Sequence, residues 1–132
     1  VPTDGPSLPD PKARTLARGP RKYRRKVASP KQWQAIIAAK GQHCRLCLTT
    51  HSTDRLHTQM HHVVGRGGSG LGDDVAENLV PLCERHHALV TARSPSASEQ
   101  FCEALSDAEY AYAIQRGGEG YFERAYGVAY TR

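Results

Sequence analysis

The chain is 132 residues and 14.5 kDa, enough for one small domain and a tail, since single domains typically run to about 100–150 residues. Hydrophobic residues make up 39% of it and aromatics 7%, with one Trp and two Phe, and a core that lean needs a metal, disulfides or oligomerisation to hold it. The longest unbroken apolar run, Ala35 to Ala39, falls far short of the ~20 residues that cross a bilayer. Membrane proteins, large cofactor folds and two-domain enzymes are thereby excluded. The sequence opens on no basic-then-apolar leader, so no signal peptide is expected within it, while Val1 in place of Met suggests trimming, with a removed leader as the alternative.

The net charge of +5 is unevenly placed. Residues 1–26 hold eight Lys/Arg against Asp4 and Asp10, a local charge of +6, so the remaining 106 residues sum to −1. The same segment carries five of the eight prolines and almost no large apolar side chains. It cannot bury enough surface to offset its ordering entropy, which predicts a disordered basic arm over residues 1–28 ahead of a folded domain over 29–132. Arg18, Arg21, Lys22, Arg24, Arg25 and Lys26 put six cations into nine residues. Such a run suits phosphate oxygens; each phosphate it neutralises releases counterions, giving salt-dependent affinity without sequence choice. The plainer alternative is a solubilising tail.

Composition shifts at Ser29. Ser29-Pro30 is a helix start, and a stripe of Trp33, Ile36, Ile37 and Lys40 predicts a helix over 30–40 that Gly41 stops. Cys44 and Cys47 follow in a turn, and Leu56 to Val64 reads as a strand ending at Gly65. Five glycines between positions 65 and 72, then Asp73 and Asp74, require a loop with the aspartates as turn residues. Asn78 to Leu82 suits a second strand, and Cys83 begins a helix. Ser98 is placed to cap a helix through Leu105, and Ser106-Asp-Ala-Glu109 has the capping-box form for another that stops at Gly117 and Gly118. Tyr110, Ile114, Tyr121, Phe122 and Tyr126 have core-facing spacing and read as packing residues.

Cys44-Arg-Leu-Cys47 and Cys83-Glu-Arg-His86 each offer two ligands from one tight turn, and two such pairs make the closed tetrahedral site that zinc prefers. A redox disulfide in the first pair would need a thioredoxin-like βαβ pattern, which is lacking. The spacing predicts a structural Zn2+ on Cys44, Cys47, Cys83 and His86, whose binding would add folding free energy to the lean core. Cys102 reads as a buried helix thiol and as the alternative fourth ligand. The 35 residues between the pairs hold His61, His62, the glycine run and Asn78, and His87 comes just after the second pair. A strand, a loop, a strand and a helix bring the histidine pair beside the helix histidine. Imidazoles so placed hold a divalent cation while another takes a proton near neutral pH.

The segment Cys44 to Thr91, about 48 residues, resembles the HNH endonucleases, the ββα-metal nucleases. CRLC, MHHVVGRG, the Asn of ENLVPLC, and CERHH stand in that family's order and spacing. The resemblance implies an α+β fold in which a small ββα-metal core over 44–91 is stapled by the zinc site and flanked by helices, those over 98–126 lying outside it. It also implies a metal-dependent DNA endonuclease that hydrolyses phosphodiester bonds with one cation and a histidine general base. His62 stands where the family has that base. His61, where many members carry a metal-binding Asp, and His87 are then assigned to the catalytic cation. Asn78 takes the middle position, fixing the histidine loop by hydrogen bonds or touching the metal, with positioning the favoured role.

The chain departs from the family at His86, often a Cys there, and at Thr91, where some members have a further histidine. Two imidazoles suit Mn2+, Ni2+ or Zn2+ better than Mg2+, which serves only with phosphate and waters completing its shell. Arg66 and Arg85 are candidates for transition-state charge or phosphate seating. Adjacent strand residues point to opposite faces, so His61 and His62 share a site only at a strand end or bulge; otherwise one of them is structural. His43, His51 and His57 fit no motif position. DNA is the implied partner. Small members of the family occur in phage, restriction and mobile-element settings, so a packaging or other nucleic-acid-processing protein is a second expectation. A monomer or weak dimer in a reducing cytoplasm is expected, the host's if phage-encoded, with no membrane partner. The competing readings are a zinc-stabilised nucleic-acid-binding module without catalysis and a structural adaptor.

Overall fold

The computed structural model describes residues 24–41, 43–49, 59–65 and 72–132. Arg18, Arg21, Lys22, Arg66, His51 and His57 lie outside the described residues. The first helix, α1 (Pro30–Lys40), starts as its sequence predicts: Ser29 Oγ accepts from the Gln32 N–H at 3.2 Å and Gln32 Oε1 accepts from the Ser29 N–H at 2.8 Å. It stops where Gly41 takes a φ of +87°, a conformation that glycine adopts without strain. No residue of α1 is buried, so the helix lies on the outside of the domain.

The first ligand pair does not sit in a plain turn. Cys44 immediately precedes a short helix, α2 (Arg45–Thr49), and Cys47 lies within it. Strand β1 (Gln59–His62) then pairs antiparallel with β2 (Leu79–Leu82), His61 opposite Val80 and His62 opposite Leu79. All four residues of β2 are buried, which accounts for its unbroken apolar run. Asn78 is not part of that strand; it closes a 3-10 turn, Ala76–Asn78, just ahead of it. Helix α3 (Glu84–Thr91) follows at once, with Cys83 as its N-cap and the Cys83 sulfur accepting from the His86 N–H. The spacing that makes a ligand pair therefore also makes a helix cap. The glycine run leaves and returns at one point, because the Gly72 N–H donates to the Gly65 carbonyl at 3.2 Å. A Cβ at position 72 would stand 1.9 Å from the Val64 carbonyl oxygen, so only glycine fits.

Three helices complete the chain: α4 (Pro95–Ala104), α5 (Asp107–Gly117) and α6 (Tyr121–Tyr126). The Ser106 capping box forms as predicted. Helix α4 begins earlier than the sequence suggested. Ser94 is its N-cap because Pro95 supplies the first-turn geometry, and Ser98 is buried within the helix. The six-residue α6, bounded by Gly120 and Gly127 at φ +75°, carried no cap signal. The core joins Leu46, Val63, Val80, Leu82, Val90, Phe101, Leu105, Phe122 and Tyr126 around the buried cysteines. Tyr110 stacks on Phe122 with ring centroids 5.5 Å apart, as its spacing implied. The architecture is thus α+β, helices around one two-stranded antiparallel sheet, and among the described residues no helix is long and apolar enough to cross a membrane.

One buried carboxylate links the outer elements. Glu109, 1% exposed, accepts from both Arg45 guanidinium nitrogens at 3.0 Å, from Lys40 Nζ, and from the Ser106 N–H at 2.7 Å. It thereby ties the end of α1, the start of α2 and the cap of α5 together. Burial alone would raise its pKa, but the hydrogen bonds from Arg45 and Lys40 hold it at about 2 against an ordinary 4.5. Glu109→Gln is expected to cost about 3 kcal/mol, the scale for removing one partner from a buried ion pair. Because the folded pKa is depressed, the wild-type advantage is complete above about pH 4.5 and is lost as the pH falls toward 2. Denaturant unfolding of both proteins across that range measures it, and a gap that does not narrow contradicts the assignment.

Candidate metal centre and histidine site

Helix α2 and the turn from β2 into α3 bring four ligands together. The sulfurs of Cys44, Cys47 and Cys83 lie 3.3, 3.5 and 3.4 Å from His86 Nδ1, and the Cys47 and Cys83 sulfurs are 4.0 Å apart. All four residues are buried, and none of the cysteines is in a disulfide. A tetrahedral zinc with S ligands at 2.3 Å and N ligands near 2.0 Å requires ligand atoms about 3.5–3.8 Å apart, so the cluster fits such an ion. Burial and the neighbouring Cys44 and Cys83 sulfurs push the Cys47 thiol up to about 11. Burial opposes ionisation of Cys83 as well, but hydrogen bonds, led by the His86 N–H, hold it below the ordinary thiol value. Cys102 is buried on α4 and is not in the cluster, so the fourth ligand is His86.

The adjacent histidines of β1 leave the strand on opposite sides, with no bulge between them. His61 points toward the C-terminal helices: its Nε2 is 3.0 Å from Tyr126 Oη, and its ring lies edge-on to Phe101 at 5.1 Å and to His87 at 5.2 Å. Burial, then the His87 and His62 rings, push its pKa down to about 3, so it is neutral at any ordinary pH. Neither His61 Nδ1 nor either ring nitrogen of His87 hydrogen-bonds to a protein group among the described residues. His62 points the other way, 6.3 Å from the Trp33 ring of α1, with its Nε2 2.8 Å from Asp74 Oδ1. An ionised carboxylate can only accept, so Nε2 carries a proton that it donates to Asp74.

Asn78 holds this arrangement in place. Fully buried, it accepts from the Val64 N–H at 2.7 Å through Oδ1, and its Nδ2 donates to the carbonyls of Val64 at 3.1 Å and Asp73 at 3.0 Å. The side chain thus clamps both ends of the glycine run, next to His62 on one side and Asp74 on the other.

The two aspartates follow the glycine run as the sequence suggested, but they are buried and hydrogen-bonded to distant parts of the chain. Asp73 and Asp74 are 2% and 7% exposed. Asp73 accepts from the Lys26 N–H at 2.7 Å and from the Tyr112 hydroxyl at 2.6 Å. Asp74 accepts from the Ala28 N–H at 3.1 Å while holding His62, and its own N–H donates to the Lys26 carbonyl at 2.9 Å. The root of the basic segment is therefore fastened beside His62 from Lys26 onward. Asp-Asp after a glycine run resembles any turn, and only the fold shows its partners. Arg24, Lys26, Arg85 and His43 are exposed and Arg25 half-buried.

No protein-family model matches the chain, and no curated protein or solved structure matches it significantly. The structure itself supports an α+β domain with a buried Cys/His cluster able to hold a metal such as zinc. Metal analysis of the purified protein is expected to return one tightly held equivalent. Structural zinc is worth about 10 kcal/mol or more of folding free energy, so Cys47→Ser or a strong chelator should unfold most of the domain, read by circular dichroism. Unchanged melting after complete metal removal would show that the cluster holds nothing of consequence.

Proposed function

We propose that the chain is an HNH-type, metal-dependent endonuclease that hydrolyses phosphodiester bonds in DNA. The observation that carries this reading is the His61–His87 pair, a strand imidazole and a helix imidazole 5.2 Å apart between ring centroids, next to the Cys/His cluster. The hydrogen bonds of Asn78 support it, because they suit the positioning role favoured for the middle motif residue. So does the fixing of His62 by Asp74.

In this mechanism His62 takes a proton from water as the water oxygen bonds to phosphorus. The P–O3′ bond breaks in line, and the departing oxygen takes its proton from solvent. Asp74 keeps the imidazole in the productive tautomer and stabilises the imidazolium that forms. His61 and His87 would hold a divalent cation, which would supply Lewis-acid neutralisation of phosphate charge. With two neutral imidazoles and no carboxylate, Mn2+, Ni2+ or Zn2+ is favoured over Mg2+. Arg24, Arg25 and Lys26, together with Arg18, Arg21, Lys22 and Arg66, serve backbone phosphates in this reading, which gives affinity without base choice.

One observation favours a second reading, a zinc-stabilised nucleic-acid-binding module without catalysis: His62 leaves β1 on the side opposite His61. Nicking of supercoiled plasmid separates the two. After mild chelation that spares the structural metal, restoring Mn2+, Ni2+, Zn2+ or Mg2+ is expected to restore nicking. His62→Ala, folded and with its zinc intact, should lose at least about 100-fold, the usual worth of a general base. If wild type and variant bind DNA equally and neither cuts with any metal, the binding module is the correct description.

A further inference from the structure

Tyr126 belongs to α6, outside the motif-bearing segment, and its spacing marked it only as a packing residue. Its hydroxyl has two neighbours that decide its role: the Val63 carbonyl oxygen at 2.6 Å and His61 Nε2 at 3.0 Å. A carbonyl oxygen can only accept, so the single phenol proton goes to Val63; the His62 carbonyl at 3.5 Å is too distant to compete. Tyr121 also donates to Val63, at 2.8 Å, which uses the second lone pair of that carbonyl. The phenol oxygen is left as an acceptor. His61 must therefore carry its proton on Nε2 and keep its lone pair on Nδ1.

We propose that Tyr126 is the positioning residue of the His61–His87 pair: it fixes the tautomer of His61 so that Nδ1 is the atom offered to a divalent transition-metal cation. This rests on the reading that the pair holds the cation. Ring packing reinforces it, since Phe101 meets His61 edge-on at 86° and lies 5.2 Å from the Tyr126 ring, so hydroxyl and imidazole are oriented by one aromatic group. The partner of His61 is a neutral phenol where metal-bound histidines commonly have a carboxylate. It sets geometry without adding negative charge, which keeps the site suited to borderline cations rather than Mg2+.

Tyr126→Phe in the full chain keeps the ring and removes only the hydroxyl. With the Cys/His cluster first filled by one equivalent of zinc, Ni2+ titration by calorimetry reads the second site. Long-range 1H–15N spectra read the His61 tautomer. The expected result is an Nε2–H His61 and a second Ni2+ equivalent in the wild type. Tyr126→Phe should keep its zinc and its melting but bind Ni2+ about tenfold or more weakly, the usual effect of losing a ligand's hydrogen-bond partner. Equal Ni2+ affinity in both proteins overturns the positioning role while leaving the cation site standing. A wild type that takes up no second equivalent overturns the cation site itself. If Tyr126→Phe fails to fold, the wild-type spectra still decide, because an Nδ1–H His61 overturns the proposal.

Discussion

Four ligand atoms within 4.8 Å of one another, on Cys44, Cys47, Cys83 and His86, are the constraint on which the rest of the domain depends. Two come from the α2 segment and two from the cap of α3, and between them lies the whole chain that makes β1, the glycine run and β2. A hydrophobic core of this size gives little margin. A metal gathered by those ligands adds folding free energy where the aliphatic side chains are few. The same cluster fixes the start of α3, so the register of His87 on that helix follows from the position of Cys83 as its cap. Burial, then the neighbouring Cys44 and Cys83 sulfurs, push the Cys47 thiol up, a cost that a bound cation would relieve.

The two sides of β1 are finished by different parts of the chain. His61 is enclosed by α4 and α6 through Phe101 and Tyr126. His62 is enclosed by α1 and by the Asp73–Asp74 turn that also holds the Lys26–Ala28 segment. Of these parts, α1, α4 and α6 lie outside the stretch that carries the motif, while the Asp73–Asp74 turn lies within it. Asn78 joins the two sides by fixing the backbone on both flanks of the glycine run. The pattern of ligands and histidines defines which groups are present, and Tyr126 and Asp74 supply the hydrogen bonds that hold His61 and His62.

How far the sequence revealed this depended on the range of each interaction. The caps at Ser29 and Ser106 and the ligand pairs at Cys44 and Cys83 are satisfied within three residues, and all were legible. Ser98 misled because Ser94-Pro95 offers the better start: proline sets φ directly, whereas a mid-helix serine carries no such constraint. The opposite facing of His61 and His62 follows from strand geometry and was foreseeable. Their partners were not. Asp74 and Tyr126 meet the histidines across 12 and 65 residues, and nothing local distinguishes them from a turn residue and a packing residue.

The junction at Gly65 and Gly72 has one further consequence. Because the Gly72 N–H donates to the Gly65 carbonyl and Asn78 clamps Val64 and Asp73 on either side, the two ends of the connection are held together by residues outside it. Doubling such a loop adds only about 0.6 kcal/mol of closure entropy. A longer connection between the same two anchor points would therefore add little to the cost of holding β1 and β2 in register.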